Sequence, residues 1–158
     1  MSITFRPMMP VMLLLLLLVG PGIAAADSFR WLDGGGKLHS LEEYRDKAVI
    51  VHIWATWCPP CRSEMPELSA WLQAHPDVIF LPVSVDDSAS AASAFLKDNN
   101  ITLPLLLTDK QEASSLGVRV LPSTFVIAGN GEVKQRLLGA QPWGDEAFSS
   151  QLLGKLIP

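Results

Sequence analysis

A three-layer α/β domain with a mixed central sheet is the fold class this sequence predicts, and three observations predict it. Two runs, residues 48–55 and 78–85, are almost wholly apolar and rich in β-branched side chains, as strands buried on both faces are. A helical stretch follows each run, the alternation that layers helices on a sheet. Gly129-Asn130-Gly131 then marks a tight hairpin, and a last helix closes the chain.

The elements follow in order. Residues 29–32 and 37–39 read as two short strands around Asp33-Gly34-Gly35-Gly36. Ser40 and Glu43 form a capping box that opens a brief helical turn. After the strand at 48–55 come Thr56, Trp57, Cys58, Pro59, Pro60 and Cys61, and a helix to about Ala74. Met65, Leu68, Trp71 and Leu72 give that helix an apolar stripe, and Pro66 should kink it. Residues 88–99 form an alanine-rich helix, and 101–107 a third, proline-interrupted strand. Asp109 caps the next helix, with Glu112 three residues on and Gly117 ending it. Strands at 123–128 and 132–138 flank the hairpin turn, and Pro142 introduces a final helix that ends near Leu156. No repeat or linker interrupts residues 27–158, which read as one domain, expected to be monomeric.

The first 26 residues stand apart. They hold eighteen apolar residues, four of the five methionines and a single charge, Arg6. Arg6, the apolar run 11–19, Gly20-Pro21-Gly22 and Ala24-Ala25-Ala26 follow the order of a signal peptide cut after Ala26. An uncleaved anchor is the alternative, although nine clean apolar residues fall short of the ~20 that a spanning helix needs. Either way the domain is delivered across a membrane, into a periplasmic or other extracytoplasmic space where disulfides persist. From Asp27 onward 11 basic residues face 16 acidic ones, a balance that argues against nucleic-acid or anionic-membrane partners.

Cys58 and Cys61 are the only cysteines, and they flank the start of a helix. A thiol at that position meets the positive end of the helix dipole and free backbone N–H groups, which favour the attacking thiolate. Pro59 and Pro60 lack N–H groups, leaving the Cys61 and Arg62 amides as donors, so a moderate effect on Cys58 is expected. Four-ligand zinc binding would have to recruit His39, His52 and His75 and is not expected; position 62 is Arg rather than the His of a c-type haem site. A purely structural bridge is a poor staple, because a two-residue loop constrains the unfolded chain very little.

The segment WATWCPPCRSEMP, residues 54–66, resembles the thioredoxin superfamily, and more narrowly the TlpA/ResA-like extracytoplasmic thiol–disulfide oxidoreductases. Residues 117–127 resemble that family's cis-proline segment, and residues from about Asp86 to Asp109 its βα insertion. The resemblance implies a thioredoxin-like fold with a short N-terminal hairpin and a redox-active Cys58–Cys61 disulfide. Cys58 would be the nucleophile, Cys61 the resolving cysteine and Leu121-Pro122 a cis bond beside them. Trp57, Pro59, Pro60, Leu121 and Ser123 would meet an incoming peptide. Glu64 matches an acidic residue of the family and would take the proton from Cys61. His52 departs from the family, standing on the strand where thioredoxins carry a buried acid and many TlpA-like proteins Asn, and would relay a proton to or from Cys61. Trp54 is expected in the core, and Asp86-Asp87 reads as a loop ahead of a capped helix.

The implied function is reduction of disulfides in exported proteins, with apocytochrome c maturation as one setting. A membrane thiol-electron transporter would be the reductant, and neither an organic cofactor nor a metal is called for. A redoxin-type thiol peroxidase and a non-enzymatic Cu(I)-binding chaperone are the competing readings.

Overall fold

A computed structural model describes residues 28–156. The leader expected over residues 1–26 lies outside them. Strands β1 (Arg30–Asp33) and β2 (Leu38–Ser40) form the predicted hairpin, with Leu32 opposite Leu38. Asp33 builds its turn by accepting from the Gly35 and Lys37 amides. The capping box is present at Ser40, opening a 3₁₀ turn, Leu41–Tyr44. Strand β3 (Val49–Trp54) is buried at all six positions and lies between β4 (Phe80–Ser84), parallel to it, and β6 (Ser123–Ile127), antiparallel. β5 (Leu106–Leu107) joins β4 to the N-terminal hairpin, and β7 (Val133–Leu138) closes the other edge. Among the described residues the sheet runs β2-β1-β5-β4-β3-β6-β7. The predicted mixed sheet is therefore present.

Alternation along β3 separates the two helical layers. Its even-numbered face carries His52 and Trp54. Helix α1 (Pro59–Ala74) covers that face, running through Pro66 and burying Met65, Leu68 and Trp71. Helix α4 (Glu146–Gly154) lies beside α1, where the Trp71 indole N–H donates to Ser149 Oγ at 2.8 Å. Helix α2 (Ala89–Asp98), capped by Ser88, sends Phe95 onto Trp54 with ring centroids 5.6 Å apart. On the odd-numbered face Val51 opposes Phe125, and Arg136 lies over the Phe125 ring. Helix α3 (Lys110–Leu116) ends against that arginine at Gly117, whose φ of 103° is the left-handed conformation a C-terminal glycine adopts freely.

Two sequence expectations need correction. The strand expected over 101–107 shrinks to two residues. The Ile101 amide returns to Leu96 O, Thr102 N donates to Ser69 Oγ, and Pro104 has no N–H for a ladder. The last helix does not begin at Pro142. Pro142 O accepts from Asp145 N in a turn, and Asp145 then caps the helix by accepting from Phe148 N.

Candidate active site

β3 delivers the chain to the site and α1 carries it away. The turn between them is closed by Cys58 N donating to Ala55 O at 3.2 Å. Cys58 is the N-cap of α1, with Pro59 and Pro60 as its first helical residues, where missing N–H groups disturb no helical bond. Cys58 and Cys61 form a disulfide with Cα atoms 5.3 Å apart. Of the two amides expected to serve the Cys58 sulfur, one does: Cys61 N reaches Sγ at 3.3 Å. Arg62 N is taken by Cys58 O at 3.1 Å, because the helical ladder starts there. The Arg62 guanidinium is drawn to α2, 5.5 Å from the Phe95 ring centroid.

The two cysteines are unequally placed. Cys58 is 4% exposed and lines an open groove of about 560 Å³, whereas Cys61 is 0% exposed. Trp57, Pro59 and Pro60 form one wall of that groove, and residues 118–121, Leu121 among them, form the other. Trp57 is 57% exposed, while Trp54 is buried as expected. The Leu121-Pro122 bond is cis, and Pro122 O accepts from Gly139 N. Ser123 is placed otherwise than expected. It is fully buried and its hydroxyl donates to Val120 O at 2.7 Å, bracing the groove wall from behind.

Behind the cysteines lies a buried polar cluster. His52 Nε2 is 3.3 Å from Glu64 Oε1, and neither atom has a further hydrogen-bond partner among the described residues. His52 Nδ1 meets Thr124 Oγ1 on β6 at 2.9 Å. Glu64 Oε2 accepts from Gln141 N at 2.8 Å and from Trp143 Nε1 at 2.9 Å. Phe80 and Trp143 pack on the imidazole and keep water out. Glu64 stands one helical turn after Cys61, on the same face of α1. Thus the two residues singled out separately in the sequence are one contact. Thr124, Gln141 and Trp143 gave no sequence signal, since an indole or amide partner is invisible until the chain is folded. The other histidines lie elsewhere, His39 with Asp33 and Glu43 and His75 against Trp71 O.

Sheet, cysteine pair and cis-proline groove together define a thioredoxin-like thiol–disulfide oxidoreductase. The chain belongs to the AhpC/TSA family, whose model matches residues 23–136. It is 34% identical over 120 residues to the thiol-disulfide oxidoreductase ResA of Geobacillus kaustophilus, covering 73% of this chain and 68% of that one. To ResA of Bacillus subtilis it is 32% identical over 117 residues, covering 72% and 65% respectively. It also resembles the solved structure of a thiol:disulfide interchange protein, a thioredoxin family protein from Chlorobium tepidum TLS. That match covers 82% of this chain and 95% of that one, with a TM-score of 0.65 at 27% identity.

Proposed function

We propose that the chain is an exported reductant of disulfides in extracytoplasmic proteins. The observation that carries this reading is the unequal exposure of the pair: Cys58 faces the groove and Cys61 is sealed. In the reduced protein, the Cys58 thiolate attacks one sulfur of a substrate disulfide and releases the other as a thiolate. Cys61 then gives its proton to Glu64, with His52 as relay, and attacks Cys58 Sγ. The second substrate thiolate leaves, and the Cys58–Cys61 disulfide forms. Two electrons have passed to the substrate, and the two released thiolates take up protons. The cis Leu121-Pro122 segment offers backbone to the substrate chain as a short added strand. A membrane thiol-electron transporter restores the dithiol, and cysteine-containing exported proteins, apocytochrome c among them, are the substrates. Residues 1–26 act as the export signal.

A Cys61→Ala variant, expressed in the native compartment, tests this directly by stalling the mixed disulfide. Apocytochrome c and a membrane reductase should be recovered bound through Cys58. Recovery of no disulfide-linked partner would sink the exchange mechanism.

A further inference from the structure

The exchange steps leave one buried carboxylate without a task. Asp86, in the loop between β4 and α2, is 7% exposed. It accepts from Thr56 N at 3.0 Å, from Thr56 Oγ1 at 2.7 Å and from Ser84 Oγ at 2.7 Å, and its own amide donates to Ser84 Oγ at 2.9 Å. A carboxylate removed from water and served by neutral donors is costly to keep, so what it holds in place matters. It holds Thr56, the second residue of the four-residue turn that ends at Cys58.

The neighbouring carboxylate reaches the neighbouring residue. Asp87 lies 3.8 Å from Lys110 Nζ, and that ammonium sits 5.8 Å from the Trp57 ring centroid. Consecutive residues of the β4–α2 loop therefore address consecutive residues of the nucleophile's turn, Asp86 directly from within and Asp87 through Lys110 from outside. Trp57 in turn forms a wall of the groove that Cys58 lines.

We infer that Asp86 is a positioning residue that sets the Trp57 wall and thereby the affinity for polypeptide disulfides, resting on the reading of Cys58 as nucleophile toward proteins. A small disulfide needs only the Cys58 sulfur. A protein segment must also lie between Trp57 and residues 118–121. Loosening Thr56 should therefore act on KM for a protein substrate far more than on attack at Cys58.

The test uses full-length protein and compares insulin, with dithiothreitol as the reductant, with 5,5′-dithiobis(2-nitrobenzoate) reacted in single turnover with pre-reduced protein freed of dithiothreitol. Asp86→Asn places an amide against the Thr56 donors, and Thr56→Val removes only the hydroxyl bond. KM for insulin should rise about tenfold in Asp86→Asn and about threefold in Thr56→Val, with kcat within about twofold. The rate with the small disulfide should stay within about twofold in both. Unchanged KM in folded variants would overturn the inference, and so would an equal fall with both substrates, which general loosening produces. Should Asp86→Asn fail to fold, Thr56→Val, at a part-buried position, decides alone. Wild-type protein that reduces the small disulfide but not insulin would instead remove the protein-reductant reading, and this inference with it.

Discussion

Two histidines in this molecule each lie against a carboxylate, and water separates their fates. His39, on the edge strand β2, bonds Glu43 through Nδ1 at 2.9 Å and Asp33 through Nε2 at 3.1 Å, over the face of Trp31. Its two carboxylate partners remain open to solvent. His52, on the central strand β3, has no exposure at all, and its partners Thr124 and Glu64 arrive from β6 and α1. The exposed cluster is local, drawn from one hairpin and the turn after it. The buried one ties three elements together beneath the cysteines. Exposed groups that lose a partner recover water, while buried groups recover nothing.

That contrast can be broken by mutation, and the largest effect belongs to the buried site. Glu64→Ala would leave His52 Nε2 and Trp143 Nε1 without acceptors in a dry interior, and Gln141 N without one at its part-buried margin. It should lower stability by about 3–5 kcal/mol in denaturant unfolding. A loss below about 1 kcal/mol would erase the distinction drawn between the two histidines. The double replacement His52→Leu with Glu64→Leu should cost less than the summed singles, because no polar atom of the pair is then stranded.

A smaller effect is expected from Trp143→Phe. The ring packing on His52 and Phe148 survives, but the N–H donated to the Glu64 carboxylate goes, a loss of about 1.5–3 kcal/mol for a bond to a charged group. For the chemistry, His52→Asn should shift the pH dependence of the Cys61 resolving step, followed by stopped-flow decay of the mixed disulfide. An unaltered profile would remove the relay role.

The smallest effect is the one at His39, and its sign follows from three pKa directions. Hydrogen bonds to Glu43 and then Asp33 raise His39 above its ordinary 6.5. The bond from His39 is the largest cause holding Asp33 below 3.8 and Glu43 below 4.5. The histidine's contribution to stability is full below 6.5 and fades as pH climbs through the raised folded-state value. The carboxylates contribute fully above 3.8 and 4.5, fading as pH falls through their lowered values. Both are intact between 4.5 and 6.5. The Tm difference between wild type and His39→Gln should peak in that window, shrink on either side and shrink again with added salt. A difference independent of pH would mean that His39 acts by packing on Trp31 alone.

Local signals carried most of the fold. The Ser40 capping box, the caps at Ser88 and Asp109, and the Gly117 terminus are each written within four residues, and each is present. The strand expected across 101–107 was not legible, because its pairing depends on which amides meet Ser69 and Leu96 after folding. Ser123 sits beside the cis proline in sequence, yet alternation along β6 and the Val120 carbonyl turn its hydroxyl inward. Asp86 read as an ordinary loop residue because its partner Thr56 is thirty positions away.

The sequence by itself determined the class of fold, the place of Cys58 and Cys61 at a helix start and the cis-proline segment opposite them. The first two follow from periodicity, capping and residue spacing, which act over a few residues, whereas the cis-proline segment was legible only through the family resemblance of residues 117–127. Only the tertiary structure decided that Cys58 faces the groove while Cys61 is sealed, that His52 and Glu64 meet, and that Asp86 holds the turn that ends at Cys58. Each of those depends on which distant side chains share one dry volume, and hydrophobic burial, which packs the layers together, has no direction that a linear pattern could record.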